Sequence, residues 1–118
     1  MKFFQTNEFL CKCGCGAGTL EEMDKELLEK LDSARDIAGI PFVINSGFRC
    51  EKHNKAVGGV VNSQHKEGKA ADIRCKDSAL RFIILNVLIQ AGFKRIGIGK
   101  TFIHVDVKES TPCILLYE

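Results

Sequence analysis

Two histidines and an aspartate constrain this chain more than any other feature. His65 and Asp72 close the stretch Ser46–Asp72, SGFRCEKHNKAVGGVVNSQHKEGKAAD, and His104 stands in Phe102-Ile103-His104-Val105-Asp106. Neutral imidazole nitrogen and carboxylate oxygen are donors that tetrahedral zinc accepts, and three protein donors leave the fourth position for water. His65 and Asp72 lie seven residues apart, too far for one face of a short strand. A turn centred on Gly68 must therefore fold the chain back between them, and Gly68, Ala70 and Ala71 are small enough for backbone to approach a metal. Alternation along a strand puts Phe102, His104 and Asp106 on one face. Taken singly, each residue has a plainer use. A histidine on a strand is as readily a satisfied core or surface residue, and Asp72 alone could cap a turn. His53 suits a cleft or a short exposed helix equally and is left out of the donor set.

The periodicities around this pattern alternate between helix and strand. Thr19-Leu20-Glu21-Glu22 has the form of a capping box. Leu20, Met23, Leu27, Leu31, Ala34 and Ala38 recur at helical spacing, which predicts a helix over 20–38 stopped by Gly39 and Pro41. Pro41–Asn45 reads as a short buried strand, 51–57 as a short helix and 71–74 as a strand. Leu80, Ile83, Ile84, Val87, Leu88 and Ala91 define another helix closed by Gly92. Three strand candidates follow at 95–99, 102–107 and 113–117. The expected fold class is α+β, an antiparallel sheet with helices packed on it, in one domain spanning 1–118.

Composition excludes several function classes. A net charge of +2 comes with no Lys/Arg stripe interleaved with aromatics, so nucleic acid is not an expected partner. A slightly basic surface suits an anionic polymer such as a bacterial cell wall. The longest apolar run, 82–89, is too short to span a membrane and contains Asn86. Residues 1–8 lack a signal-peptide core, so synthesis in the cytoplasm is expected. Six cysteines, at 11, 13, 15, 50, 75 and 113, are then expected to be reduced. Cys11-Lys12-Cys13-Gly14-Cys15-Gly16 looks like a metal knuckle, but its alternate spacing is not the C-x2-C of zinc ribbons. A second zinc held by some of these thiolates is one reading; thiols packing a Gly-rich turn is the preferred one.

Ser46-Gly47-Phe48-Arg49, His53-Asn54, Gly58-Gly59, Ser63-Gln64-His65, Gly68, Ala70-Ala71-Asp72 and Phe102–Asp106 together resemble the zinc D-alanyl-D-alanine peptidase family. The S-x-H-x-x-G-x-A-x-D pattern is complete from Ser63 to Asp72, and the similarity extends over roughly residues 1 to 107. The resemblance implies the hedgehog/DD-peptidase fold and zinc ligation by His65, Asp72 and His104. It also implies an anchoring role for Arg49, whose guanidinium can stabilise an oxyanion or clamp a carboxylate, against the plainer reading of a surface arginine at a turn. Larger members carry an acid three residues before the last zinc histidine, where this chain has Thr101. Asp106 is the nearest replacement as general base, and equally suits the role of orienting a ligand imidazole. Glu67 is the weaker candidate, on a turn. Ser63 and Gln64 could bond substrate backbone or shape the turn.

The expectation is a zinc metallopeptidase acting on peptidoglycan stem peptides or cross-links, as endopeptidase or D,D-carboxypeptidase. With no tryptophan, a carbohydrate-stacking platform is not evident, which favours the peptide over the glycan. A phage-encoded enzyme, released to the wall or carried in the particle, fits the absent leader. The alternative is a zinc-binding module without peptidase activity that recognises wall peptides or a protein partner. The oligomeric state is open.

Overall fold

Asp24, not Thr19, opens the first long helix. The computed structural model describes residues 2–117, and in it helix α1 spans Lys25–Ala38, with the Asp24 carboxylate accepting a hydrogen bond from the Leu27 N–H. The Thr19–Glu22 box does form, because Glu22 Oε1 accepts from the N–H groups of Gly18 and Thr19 and from the Thr19 hydroxyl. It caps only an isolated turn. The Asp24 N–H is drawn instead to the Gly68 carbonyl, 2.8 Å away, which pulls the chain off the helix axis before Lys25. A Cβ on Gly68 would stand 2.7 Å from the Glu22 carbonyl oxygen, so this crossing needs glycine.

α1 ends at Gly39, in the left-handed region at φ 67°, and buries Leu27, Leu28, Leu31 and Ala34. Helix α2 spans Glu51–Ala56, and α3 spans Ser78–Gln90 with Asp77 as its cap. α1 and α3 pack on each other and on one face of the sheet. No helix among the described residues is long and apolar enough to cross a membrane.

The sheet has five strands: β1 (Ile44–Ser46), β2 (Ala70–Arg74), β3 (Arg95–Ile98), β4 (Phe102–Asp106) and β5 (Cys113–Leu116), in the order β1-β2-β4-β3-β5. The expected strand at 41–45 pairs only from Ile44 onward, although Phe42 is buried. Neighbours are antiparallel except β3 and β5, which run parallel, so the sheet is mixed and not wholly antiparallel as the sequence suggested. The reason is topological. β4 already has β2 on one edge and β3 on the other, so the tail after β4 cannot pair with β4 and joins the free edge of β3. It starts from the end where β3 starts, and therefore runs alongside it.

Register decides which residues face which way. Ala71, Ile73, Ile96, Ile103 and Val105 point into the core with the helices, each at most 2% exposed. Full burial of an Ile or Val side chain is worth about 1.5–3 kcal/mol, so this face holds the sheet in place. The alternate residues form the opposite face, where Asp72 lies directly across from His104, His104 from Gly97, and Asp106 from Arg95.

Candidate metal centre

Each donor is placed by a different local device. His65 sits in a 3-10 turn, Gln64–Glu67, whose cap Ser63 accepts a hydrogen bond from the His65 N–H and whose end is Gly68 at φ 70°. The turn thus has the Gly68 reversal that the sequence predicts. Its imidazole Nδ1 lies 2.8 Å from the Gly47 carbonyl oxygen. A carbonyl only accepts, so Nδ1 carries a proton and Nε2 is the nitrogen turned towards the site. That Nε2 faces Asp72 Oδ1 at 3.3 Å.

Asp72 and His104 meet as a cross-strand pair, with His104 Nδ1 2.8 Å from Asp72 Oδ1. The other nitrogen, His104 Nε2, is 2.7 Å from Asp106 Oδ2. His104 therefore stands between two carboxylates. Burial opposes its charge, but the hydrogen bonds it donates to Asp106 and Asp72 outweigh that and push its pKa up to about 9. Burial likewise works against ionised Asp72, yet hydrogen bonds to His104 and His65 hold its carboxyl well below the usual range.

The donor set fits zinc. Bonds of about 2.0–2.2 Å in a tetrahedron set neighbouring donors about 3.3 Å apart. The His65–Asp72 separation of 3.3 Å already has that value, and one donor atom from each of His65, Asp72 and His104 lies within 4.8 Å of the others. Both imidazoles spend their outward nitrogens on fixed acceptors, a backbone carbonyl and a carboxylate, as metal-ligating histidines usually do.

Arg49 flanks the site, its Nη2 3.5 Å from Asp72 Oδ2. Nε donates to the Ser46 hydroxyl and Nη1 to Asn54 Oδ1, while buried Asn54 donates in turn to the Val60 carbonyl. Arg49, His65, Asp72 and His104 open onto a cleft of about 350 Å³, lined also by Gln64, Phe102, Lys108 and Tyr117. Asp72 and Asp106 are the carboxylates of its lining; exposed Glu67 and Thr101 stand outside it, as does His53. Asp106 is only 3% exposed and fully engaged, with Oδ2 accepting from Arg95 Nε as well as facing His104, and Oδ1 accepting from the Lys108 N–H.

Sequence reasoning assigned no role to Arg95, Asn54, the Gly47 carbonyl or Tyr117. The Tyr117 ring lies 5.9 Å from that of His104, over Gly97, where a Cβ would collide with it. Burial, with the charges of Asp72 and Asp106, raises the Tyr117 pKa, so its phenol is neutral. Its signal was that it is the one tyrosine of the chain, at the end of the last strand candidate.

An α+β fold that brings two histidines and an aspartate into an open cleft, with the outer nitrogens anchored, has a site of the kind metallohydrolases use. The sequence matches the peptidase M15 family over residues 2–106, and the chain belongs to that family, one of zinc peptidases. The match ends at Asp106, so β5 and Tyr117 lie beyond it. Comparison with curated proteins found no match.

Proposed function

We propose that the protein is a zinc-dependent peptidase hydrolysing amide bonds in peptidoglycan stem peptides or cross-links, as an endopeptidase or D,D-carboxypeptidase. The observation that carries this reading is the meeting of His65 Nε2, Asp72 Oδ1 and His104 Nδ1 at the floor of a cleft flanked by Arg49. His65, Asp72 and His104 would hold the ion. Zinc bound there supplies a Lewis acid and a water whose pKa is brought near neutrality. The residues around it bind and orient. Gly47 and Asp106 fix the two imidazoles, and the guanidinium of Arg49, steadied by Ser46 and Asn54, offers paired donors to a substrate carboxylate or carbonyl. Arg95 and Lys108 add positive charge to the cleft, which suits peptides ending in a carboxylate. Action on the cell wall after release, or within a phage particle, belongs to the same proposal.

A second reading keeps the metal and drops the hydrolysis: a zinc-bearing module that recognises wall peptides or a protein partner. It is favoured by the engagement of both Asp106 oxygens and by the position of Thr101 outside the cleft, which leave no free carboxylate in the cleft lining among the described residues to move a proton. Mass spectrometry of peptidoglycan fragments after incubation with zinc-loaded protein separates the two. New peptide termini absent with His65→Ala establish the peptidase. Intact fragments from several wall chemotypes, with zinc bound, would establish the module.

A further inference from the structure

Four of the six thiols converge at a place the metal centre does not use. Cys11 Sγ lies 3.4 Å from Cys13 Sγ and 3.7 Å from Cys50 Sγ, and Cys13 and Cys50 are 3.6 Å apart. Cys15 completes the group, with all four sulfurs within 4.8 Å of one another. These separations are far from the 2.03–2.05 Å of a disulfide. They are close to the edge of a tetrahedron with zinc–sulfur bonds of about 2.3 Å, which is about 3.8 Å.

The local chain is shaped for this convergence. The Cys11 N–H donates to the Ala17 carbonyl and closes a loop, within which the Gly14 N–H turns back to the Cys11 carbonyl. Gly14 and Gly16 take φ of 83° and 86°, a region closed to ordinary side chains, so successive alternate cysteines curl to one point and do not run out along a strand. Cys50 comes 39 residues after Cys11 and caps α2, its sulfur accepting from the His53 N–H, while the Cys50 N–H points at Cys11 Sγ. Backbone donors to sulfur favour the thiolate form that a metal requires.

We propose that Cys11, Cys13, Cys15 and Cys50 bind a second, structural zinc through four thiolates, releasing the thiol protons to solvent. The ion ties the N-terminal loop to the residue that follows Arg49. It therefore steadies Arg49 beside Asp72, in a segment also joined to that loop by the Phe48 N–H to Phe9 carbonyl bond. The site does not depend on the peptidase reading.

The test is native mass spectrometry of the full chain, purified with reductant and zinc, beside cobalt substitution. The expected result is two ions in the wild type, one in His65→Ala and one in Cys13→Ser/Cys15→Ser, both of whose replaced side chains are exposed. Were the histidine site empty, the wild type would hold one ion that the cysteine variant loses and His65→Ala keeps, and the proposal would stand. Cobalt in His65→Ala should give a thiolate charge-transfer band in the near ultraviolet. A cysteine variant that keeps the wild-type metal count, absence of that band, or loss of hydrogen mass from disulfides in the reduced preparation would each overturn it. If the double variant does not fold, the cobalt spectrum of His65→Ala decides.

Discussion

Asp106→Asn should weaken zinc binding by about 10–100-fold, the cost typical of removing the partner that orients a ligating histidine. The structure gives the same scale independently. Asp106 Oδ2 is 2.7 Å from His104 Nε2 in a nearly sealed setting. A hydrogen bond to a charged group is worth about 1.5–3 kcal/mol net, and one between neutral groups about 0.5–1.5 kcal/mol. Asparagine keeps the shape and an acceptor but loses the charge, so about 1–2 kcal/mol disappears, a factor of about 5–30 in affinity. Competition against a chromogenic chelator reads this directly, with metal stoichiometry checked at saturation. Arg95→Met serves as the control: it removes the 3.0 Å ion pair to Asp106 but leaves the bond to His104, and should change affinity far less. If Asp106→Asn binds zinc within twofold of wild type and yet loses turnover, Asp106 is not a positioning residue, and the general-base role becomes the better account.

Gly47→Ala should destabilise the fold by about 1–3 kcal/mol in urea titration, an overpacking cost, because the new Cβ would stand 2.7 Å from Phe9 Cα and shift the carbonyl that holds His65. For metal-free protein, the raised His104 pKa makes its ion pairs fully stabilising below its ordinary 6.5 and lost as pH rises through about 9; thermal melts in chelator should fall over that window, and His104→Gln should flatten the fall. Arg49→Lys should raise KM for wall peptides about tenfold with little change in kcat, since lysine cannot supply the paired donors of a guanidinium; an unchanged KM would remove Arg49 from substrate binding. Chelation should abolish amide hydrolysis, and added zinc should restore it.

The chemically conspicuous parts of the site were legible because their side chains are rare and their spacing is tight. His65, Gly68 and Asp72 announce a turn between two donors, and 102–106 announces a strand with His104 and Asp106 on one face. What was hidden is what depends on distant backbone. α1 begins at Lys25 because the Asp24 N–H finds Gly68, far along the chain, and no local pattern records that. β5 is parallel because β4 has no free edge and ends where β3 begins, a property of the whole sheet. The fixing of His65 by Gly47 uses a carbonyl every residue possesses, so nothing in the residue type marks it. Cys50 joins the other thiols only after the chain has folded, which is why the cysteine cluster read as an incomplete knuckle.

Two of the three proposed donors, Asp72 and His104, are opposite members of one rung of the β2–β4 ladder. A slip of one residue would set Ile103 or Val105 in place of His104 and leave nothing for an ion to grip. Metal affinity would thus act as a proofreader of strand pairing. An ion that binds only the correct register stabilises it by mass action, in proportion to the logarithm of its concentration over the dissociation constant. Chains that mispair gain none of that protection and would be the first cut by a protease, so zinc supply during synthesis would set the yield of correctly paired protein as well as its activity.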